Sequence, residues 1–193
     1  MEEEYKFALE LLGLSRDELK LKMIMKSNIT NITSDDECIN NYTIIYTDGA
    51  CPNNGKGSKN IGIGIFFGDN DSRNISSKIN TNNATNNRAE LFAILYALEN
   101  STDNVEIRTD SQYSISCLTK WIKNWKKNNW KTANGTPVKN KELLIDIEKQ
   151  MENRDIIFKH VSNNNHQKPS NKKDKDHYGN YMADKLANNA LEN

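Results

Sequence analysis

The sequence predicts an α/β protein built on a mixed five-stranded sheet, an antiparallel meander followed by parallel strands, flanked by helices. Three observations carry this expectation. Residues 42–80 hold three β-type runs separated only by turn-rich segments, as in a meander. Beyond residue 85, apolar positions at helical spacing alternate with two further β runs, at 105–109 and 156–158, an order that implies a mixed sheet covered by helices. The chain has 193 residues, 36% hydrophobic and 27% charged, enough for one domain with a buried core and too apolar for a disordered chain.

Taken in order, residues 4–13 place Tyr5, Ala8, Leu11 and Leu12 on one helical face. Ser15 stands three residues before Glu18, a capping-box pattern that starts a second helix ending near Met25. Residues 1–27 are therefore expected to form a helical arm and 28–41 a polar linker, with 42–193 as the main domain. Residues 1–40 carry five Lys+Arg against nine Asp+Glu, so the arm suits a protein contact better than phosphate.

The run YTIIYT from Tyr42 is the first strand and ends in the turn-rich loop DGACPNNG. IGIGIFF at 61–67 is the second, with Gly62 and Gly64 marking close backbone approaches, and 73–80 is the third. TNNRAEL opens a helix on which Leu91, Ile94, Leu95 and Leu98 recur at helical spacing. VEIRT at 105–109 runs into Asp110-Ser111 and a short helix through Leu118. A Trp/Lys-rich stretch at 120–141 precedes a helix at 140–151 and the strand at 156–158. A polar loop at 162–177 leads to a last helix with Ala183, Leu186, Ala187 and Ala190 on one face.

Several classes are excluded. The acidic N-terminus lacks the basic start and cleavage site of a secretory signal, and no stretch of 18 uncharged apolar residues occurs. Cys38, Cys51 and Cys117 are odd in number and form no CxxC, which argues against a disulfide scaffold or structural zinc. The expectation is a soluble intracellular protein, cytoplasmic or nuclear, with no membrane contact. Asn takes 30 positions, and this excess is read as compositional, with most of these residues as loop filler.

The charge balance of 26 Lys+Arg against 26 Asp+Glu rules out only a uniformly basic surface. Lys120, Lys123, Lys126, Lys127, Lys131, Lys139 and Lys141 gather where no acid falls between Ser111 and Lys141. Trp121, Trp125 and Trp130 interleave with them, and the spacing of four puts Trp121 and Trp125 on one helical face. Lysines with aromatics make a surface for tracking phosphates, with platforms for sugars or bases. A core role is the alternative, and Trp121 has the stronger claim to it.

Four acids stand out. Asp48 and Asp110 sit at or near the C-terminal ends of predicted strands, Glu90 in the first turn of one helix, and Asp184 within another. Strand ends and adjacent helix starts form the ligand crevice of α/β sheets. Acids gathered there repel one another unless a hard cation neutralises them. Each also has an ordinary explanation: Asp48-Gly49 as a turn, Glu90 as a helix-start acid, Asp110-Ser111 as a cap, Asp184 as a surface helix residue.

The segments YTDGACPNNG, TNNRAEL, TDSQY, WIKNWKKNNWKTANGTPVKNKEL and HYGNYMADKLA occur in that order. Together they make residues 42–190 resemble a type 1 ribonuclease H, a hydrolase that cuts the RNA strand of RNA–DNA hybrids. The resemblance implies a ribonuclease H-like fold and a catalytic and metal-binding set of Asp48, Glu90, Asp110 and Asp184. It implies two Mg²⁺ ions about 4 Å apart with substrate present, Mn²⁺ being a substitute, and products with 5′-phosphate and 3′-hydroxyl ends. It also implies a histidine in the loop before the last helix. His166 is the expected catalytic histidine, His177 the alternative that otherwise fixes the loop, and His160 structural.

The same resemblance implies that 120–141 is a basic protrusion gripping DNA, with Trp121 and Trp125 as its platform. Trp125 would lie against DNA sugars, and Thr132 and Asn140 would contact DNA phosphate. Cys51, Asn53, Asn54, Asn86 and Gln112 would face the minor groove and read 2′-hydroxyls. The expected partner is an RNA–DNA hybrid bound by a monomer. Competing readings are a related metal-dependent nuclease on structured DNA and a catalytically silent nucleic-acid binding module.

Overall fold

A computed structural model of the chain describes residues 42–55, 57–102, 104–162, 168–170 and 172–192. The expected arm and the whole of the linker, together with His166, lie outside the described residues. The sheet has five strands, β1 (Thr43–Ala50), β2 (Asn60–Phe66), β3 (Ile75–Asn80), β4 (Val105–Thr109) and β5 (Ile156–His160), in the spatial order β3-β2-β1-β4-β5. The β1–β2 and β2–β3 pairs are antiparallel, and β1–β4 and β4–β5 are parallel. The expected meander followed by parallel strands is therefore the observed topology. Parallel strands need a crossover, and α1 (Asn86–Glu99) supplies the one between β3 and β4.

Residues 45 to 49 of the central strand β1 are all buried, because helices cover both of its faces. One face, with Ile45, Ile63, Ile65, Val105 and Ile107, packs on α1 and on α4 (Lys141–Met151) through Leu91, Ile94, Leu98, Leu144 and Ile147. The other face meets α5 (Lys175–Glu192), where Tyr46, Phe66 and Ala183 form a second cluster. The edge strand β3 alternates half-buried and exposed positions.

Gly62 and Gly64 are the close approaches that the strand glycines suggested. A Cβ at Gly62 would stand 2.1 Å from the Ala187 carbonyl oxygen, and one at Gly64 2.0 Å from that of Ala183. Only hydrogen at these positions lets α5 lie this close to β2.

Two helix boundaries differ from those the sequence predicts. The helix expected to stop near Leu118 instead continues. After α2 (Gln112–Ser116) the chain makes one wide π turn, Cys117–Trp121, and runs on as α3 (Ile122–Lys127). Buried Cys117, Leu118 and Ile122 keep this run on the core, which outweighs any local stop signal. The last helix begins at Lys175, so His177 lies in its first turn and not in the preceding loop. The Asp174 carboxylate accepts the His177 backbone N–H at 3.0 Å and caps the helix.

The asparagine excess has a structural use. Seven non-glycine residues among those described have positive φ, and six are asparagines: Asn54, Asn70, Asn83, Asn129, Asn140 and Asn153. Asn tolerates the left-handed region because its short polar side chain bonds locally. These residues close turns rather than fill loops.

Candidate active site

Three elements bring the acids together. Asp48 lies inside β1, two residues before its end, because the strand extends to Ala50. Glu90 lies in the second turn of α1, not the first, so a helix-start role is not its explanation. Thr85 caps α1 by accepting the Arg88 backbone N–H at 3.2 Å. Asp110 follows β4 directly, and the cap of α2 is its neighbour Ser111, which accepts the Ser114 N–H at 3.3 Å.

The approach of α1 to β1 depends on Gly49. A Cβ there would stand 2.3 Å from the Ala89 carbonyl carbon and 2.3 Å from the Glu90 nitrogen. With hydrogen in its place, carboxylate oxygens of Asp48, Glu90 and Asp110 lie within 4.8 Å of one another. Asp184, on α5, is outside that group but lines the same cleft of about 430 Å³.

Asp48 is 5% exposed and Glu90 8%. Burial, then the negative charges of Asp110 and Asp184, pushes the Asp48 carboxyl up to about 8. Burial, then Asp48 and Asp110, pushes Glu90 well above the usual carboxylate range. Glu90 Oε2 is buried without a hydrogen-bond partner among the described residues. Such a cluster stores unfavourable charge that a divalent cation relieves, and an all-oxygen donor set fits a hard ion such as Mg²⁺ or Mn²⁺. The cluster is capable of coordinating a divalent metal.

Two asparagines that the sequence pattern did not single out matter here. Buried Asn180 on α5 donates to Asp110 Oδ2 at 3.4 Å. Asn188 lines the cleft and donates to Asp184 Oδ1 at 3.0 Å, an i,i+4 spacing readable in the sequence. His160 ends β5 with Nε2 3.1 Å from the Asp110 carbonyl oxygen, in keeping with a structural role.

Among the expected substrate contacts, Cys51 and Asn86 line the acid cleft. Asn53 and Asn54 lie in a short 3-10 turn, Pro52–Gly55, and Asn54 Oδ1 accepts the Asn86 backbone N–H at 3.2 Å. A second cleft beside the first is bordered by Asn54, Asn86, Arg88 and Asn140, with Arg88 donating to Asn140 Oδ1 at 3.0 Å. Exposed Gln112 donates to Ser116 at 3.3 Å and does not line the acid cleft.

The rings of Trp121 and Trp125 lie tilted at 54° with centroids 5.6 Å apart, so they do share a face. Their burial is the reverse of the expected order. Trp121 is 41% exposed, whereas Trp125 packs against the main core. Ile122 points into that core, and Trp125 lies three residues on, on the same side of α3. Thr132 and Thr136 pair their hydroxyls at 2.8 Å in the turn bounded by the Lys131–Pro137 bridge.

No helix among the described residues is long and apolar enough to cross a membrane. The chain is 42% identical over 144 residues to ribonuclease H of Schizosaccharomyces pombe, covering 75% of this chain and 51% of that protein. Its match thus spans about half the length of that relative. It is 37% identical over 151 residues to ribonuclease H of Alcanivorax borkumensis, covering 77% of this chain and 91% of that one. A foamy viral protease-reverse transcriptase solved with dsDNA superposes with a TM-score of 0.56 at 25% identity, covering 78% of this chain and 94% of that one. The RNase H family model matches residues 40–192. With that match spanning the whole sheet and all four acids, the chain belongs to the RNase H family.

Proposed function

We propose that the chain is a metal-dependent endonuclease that hydrolyses the RNA strand of RNA–DNA hybrids, leaving 5′-phosphate and 3′-hydroxyl ends. The observation that carries this reading is the convergence of Asp48, Glu90 and Asp110 within 4.8 Å in a chain of this family. Asp48, Glu90, Asp110 and Asp184 would hold two Mg²⁺ ions, with Asp48 shared, Glu90 and Asp110 on one and Asp184 on the other. When bound, the ions lower the pKa of the attacking water and stabilise charge on the departing 3′ oxygen.

The chain's own residues do the rest. The buried acids disfavour a site left without a cation, and Asn180 and Asn188 orient Asp110 and Asp184. His166 is the residue we assign to proton transfer, with His177 the alternative, since imidazole exchanges protons near neutral pH. Cys51, Asn53, Asn54, Asn86 and Gln112 are assigned to the minor groove, and Thr132 and Asn140 to DNA phosphate. Trp125 is assigned to the DNA sugars, with the more exposed ring of Trp121 beside it as the rest of the platform. The chain acts as a monomer, with residues 1–27 as an arm for a protein contact.

The test is a cleavage assay on strand-labelled RNA–DNA, RNA–RNA and DNA–DNA duplexes, each with and without Mg²⁺. Cleavage confined to the RNA of the hybrid, dependent on Mg²⁺ and abolished by Asp48→Asn, supports the reading. Cutting of DNA duplexes would point to a nuclease on structured DNA, and hybrid binding without cleavage to a silent binding module. Wild-type turnover in Asp48→Asn would sink the metal assignment.

A further inference from the structure

Two residues before Asp48 on β1 stands Tyr46, and two residues before Asp110, which follows β4 directly, stands Arg108. Side chains two apart on a strand share a face. Tyr46 thus lies on the Asp48 side of β1, facing α5. It is the register partner of Arg108, which precedes Asp110 on β4. Arg108 Nη1 donates to Tyr46 Oη at 2.9 Å and pairs with Asp176 Oδ1, in the first turn of α5. Tyr46 Oη donates to the same carboxylate oxygen at 3.2 Å.

Lys159, the register partner of Arg108 on β5, holds the other oxygen of Asp176 at 2.9 Å. Glu106 accepts Arg108 Nε at 2.6 Å and so fixes the guanidinium. One turn along α5, Gly179 rests on the tyrosine ring, where a Cβ would stand 2.3 Å from Tyr46 Cε2. Strands β1, β4 and β5 thus grip the start of α5 at a single carboxylate.

Asp184 lies eight residues beyond Asp176, about 12 Å along the helix. It lines the acid cleft without joining the tight group of the other three. The contacts at Gly62 and Gly64 set how closely α5 lies on the sheet, and the ion pairs of Asp176 with Arg108 and Lys159 tie the start of the helix to β4 and β5.

We infer that Tyr46, Arg108 and Asp176 are positioning residues that set the reach of Asp184 into the metal site. This rests on the reading of the four acids as metal ligands. The three residues act through the helix, not by touching a ligand. Arg108 is only 12% exposed, so its pairing with Asp176 is shielded from solvent on one side.

The test titrates MnCl₂ alone into the full chain by calorimetry. Asp176→Ala should weaken Mn²⁺ binding about tenfold, the lower end of what loss of an outer ligand-orienting group costs, and Asp176→Glu should recover most of it. In an Asp184→Asn background Asp176→Ala should cause no further loss, because non-additivity marks residues that act as one unit. Mn²⁺ binding within about twofold of the parent, or an equal loss in the Asp184→Asn background, would overturn the inference.

A thermal melt checks that each variant folds. Should Asp176→Ala not fold, Tyr46→Phe, which keeps the ring against Gly179, is judged by the same criteria. Because Mn²⁺ binding needs no substrate, a chain that cleaves no duplex yet keeps this coupling would refute the proposed activity alone. Lost coupling with intact hybrid cleavage would refute the positioning role alone.

Discussion

Replacing Gly64 with alanine tests how the sheet sets the geometry of the acids. Gly64 is the register partner of Asp48, and across from it α5 carries Ala183 beside Asp184. The new methyl would sit 2.0 Å from the Ala183 carbonyl oxygen and 2.6 Å from the Ala187 nitrogen. A carbon and a carbonyl oxygen settle at about 3.3 Å or more, so the helix must retreat by about 1.3 Å. Overpacking of this kind costs about 1–3 kcal/mol, and in a chain of this size each kcal/mol lowers the melting temperature by roughly 2–4 °C.

The retreat moves Asp184 with it, and a misplacement of about 1 Å can cost about 10²-fold in rate. Urea denaturation and single-turnover cleavage of a labelled hybrid measure the two effects. Gly68→Ala is the control, since a Cβ there meets nothing within 4 Å. A Gly64→Ala protein as stable as Gly68→Ala and turning over within about twofold of the parent would refute the reasoning.

Other outcomes follow from the same structure. With divalent metal removed by EDTA, native Asp48 keeps its proton up to about pH 8, whereas the unfolded chain releases it near the ordinary carboxylate value. A raised carboxyl pKa means stability falls as pH rises through this window, by about 1.4 kcal/mol per pH unit for each such proton. Melts from pH 5 to 8 should show the decline, saturating Mg²⁺ should reduce it, and Asp48→Asn with Glu90→Gln should flatten it; a level metal-free profile contradicts the account. Thr85→Ala removes the cap of α1 and should cost about 1 kcal/mol by urea denaturation. Trp121→Ala should weaken hybrid binding with little change in stability, whereas Trp125→Ala should lower both, read by melting and fluorescence titration. Lys120→Gln should reduce the salt slope of hybrid binding by about one, measured between 50 and 200 mM salt.

Much of the fold was legible in the sequence because its signals are local. The β-type run at 42–47, the alternation at 105–109, helical spacing in the helices at 85–99 and 183–190, and the strand glycines each depend on near neighbours. Where the local signals misled, long-range packing overruled them. The helix after Asp110 runs through a π turn because Cys117, Leu118 and Ile122 are held by the core. The two tryptophans exchange their expected burial because Trp125 follows Ile122 inward. His177 joins the last helix because Asp174 caps it.

The sequence by itself determined which acids to look for, where the strands and helices fall, and where lysine and tryptophan gather. Those properties reside in residue type and spacing along the chain. Only the tertiary structure decided that three acids share one point while Asp184 stands slightly apart. It also decided that Gly49 and Gly64 bring helices α1 and α5 within reach, and that Tyr46 and Arg108 grip α5 at Asp176. Distances between residues far apart in the chain depend on how closely backbones pack, and a missing side chain announces its purpose only when the surface it admits is in place.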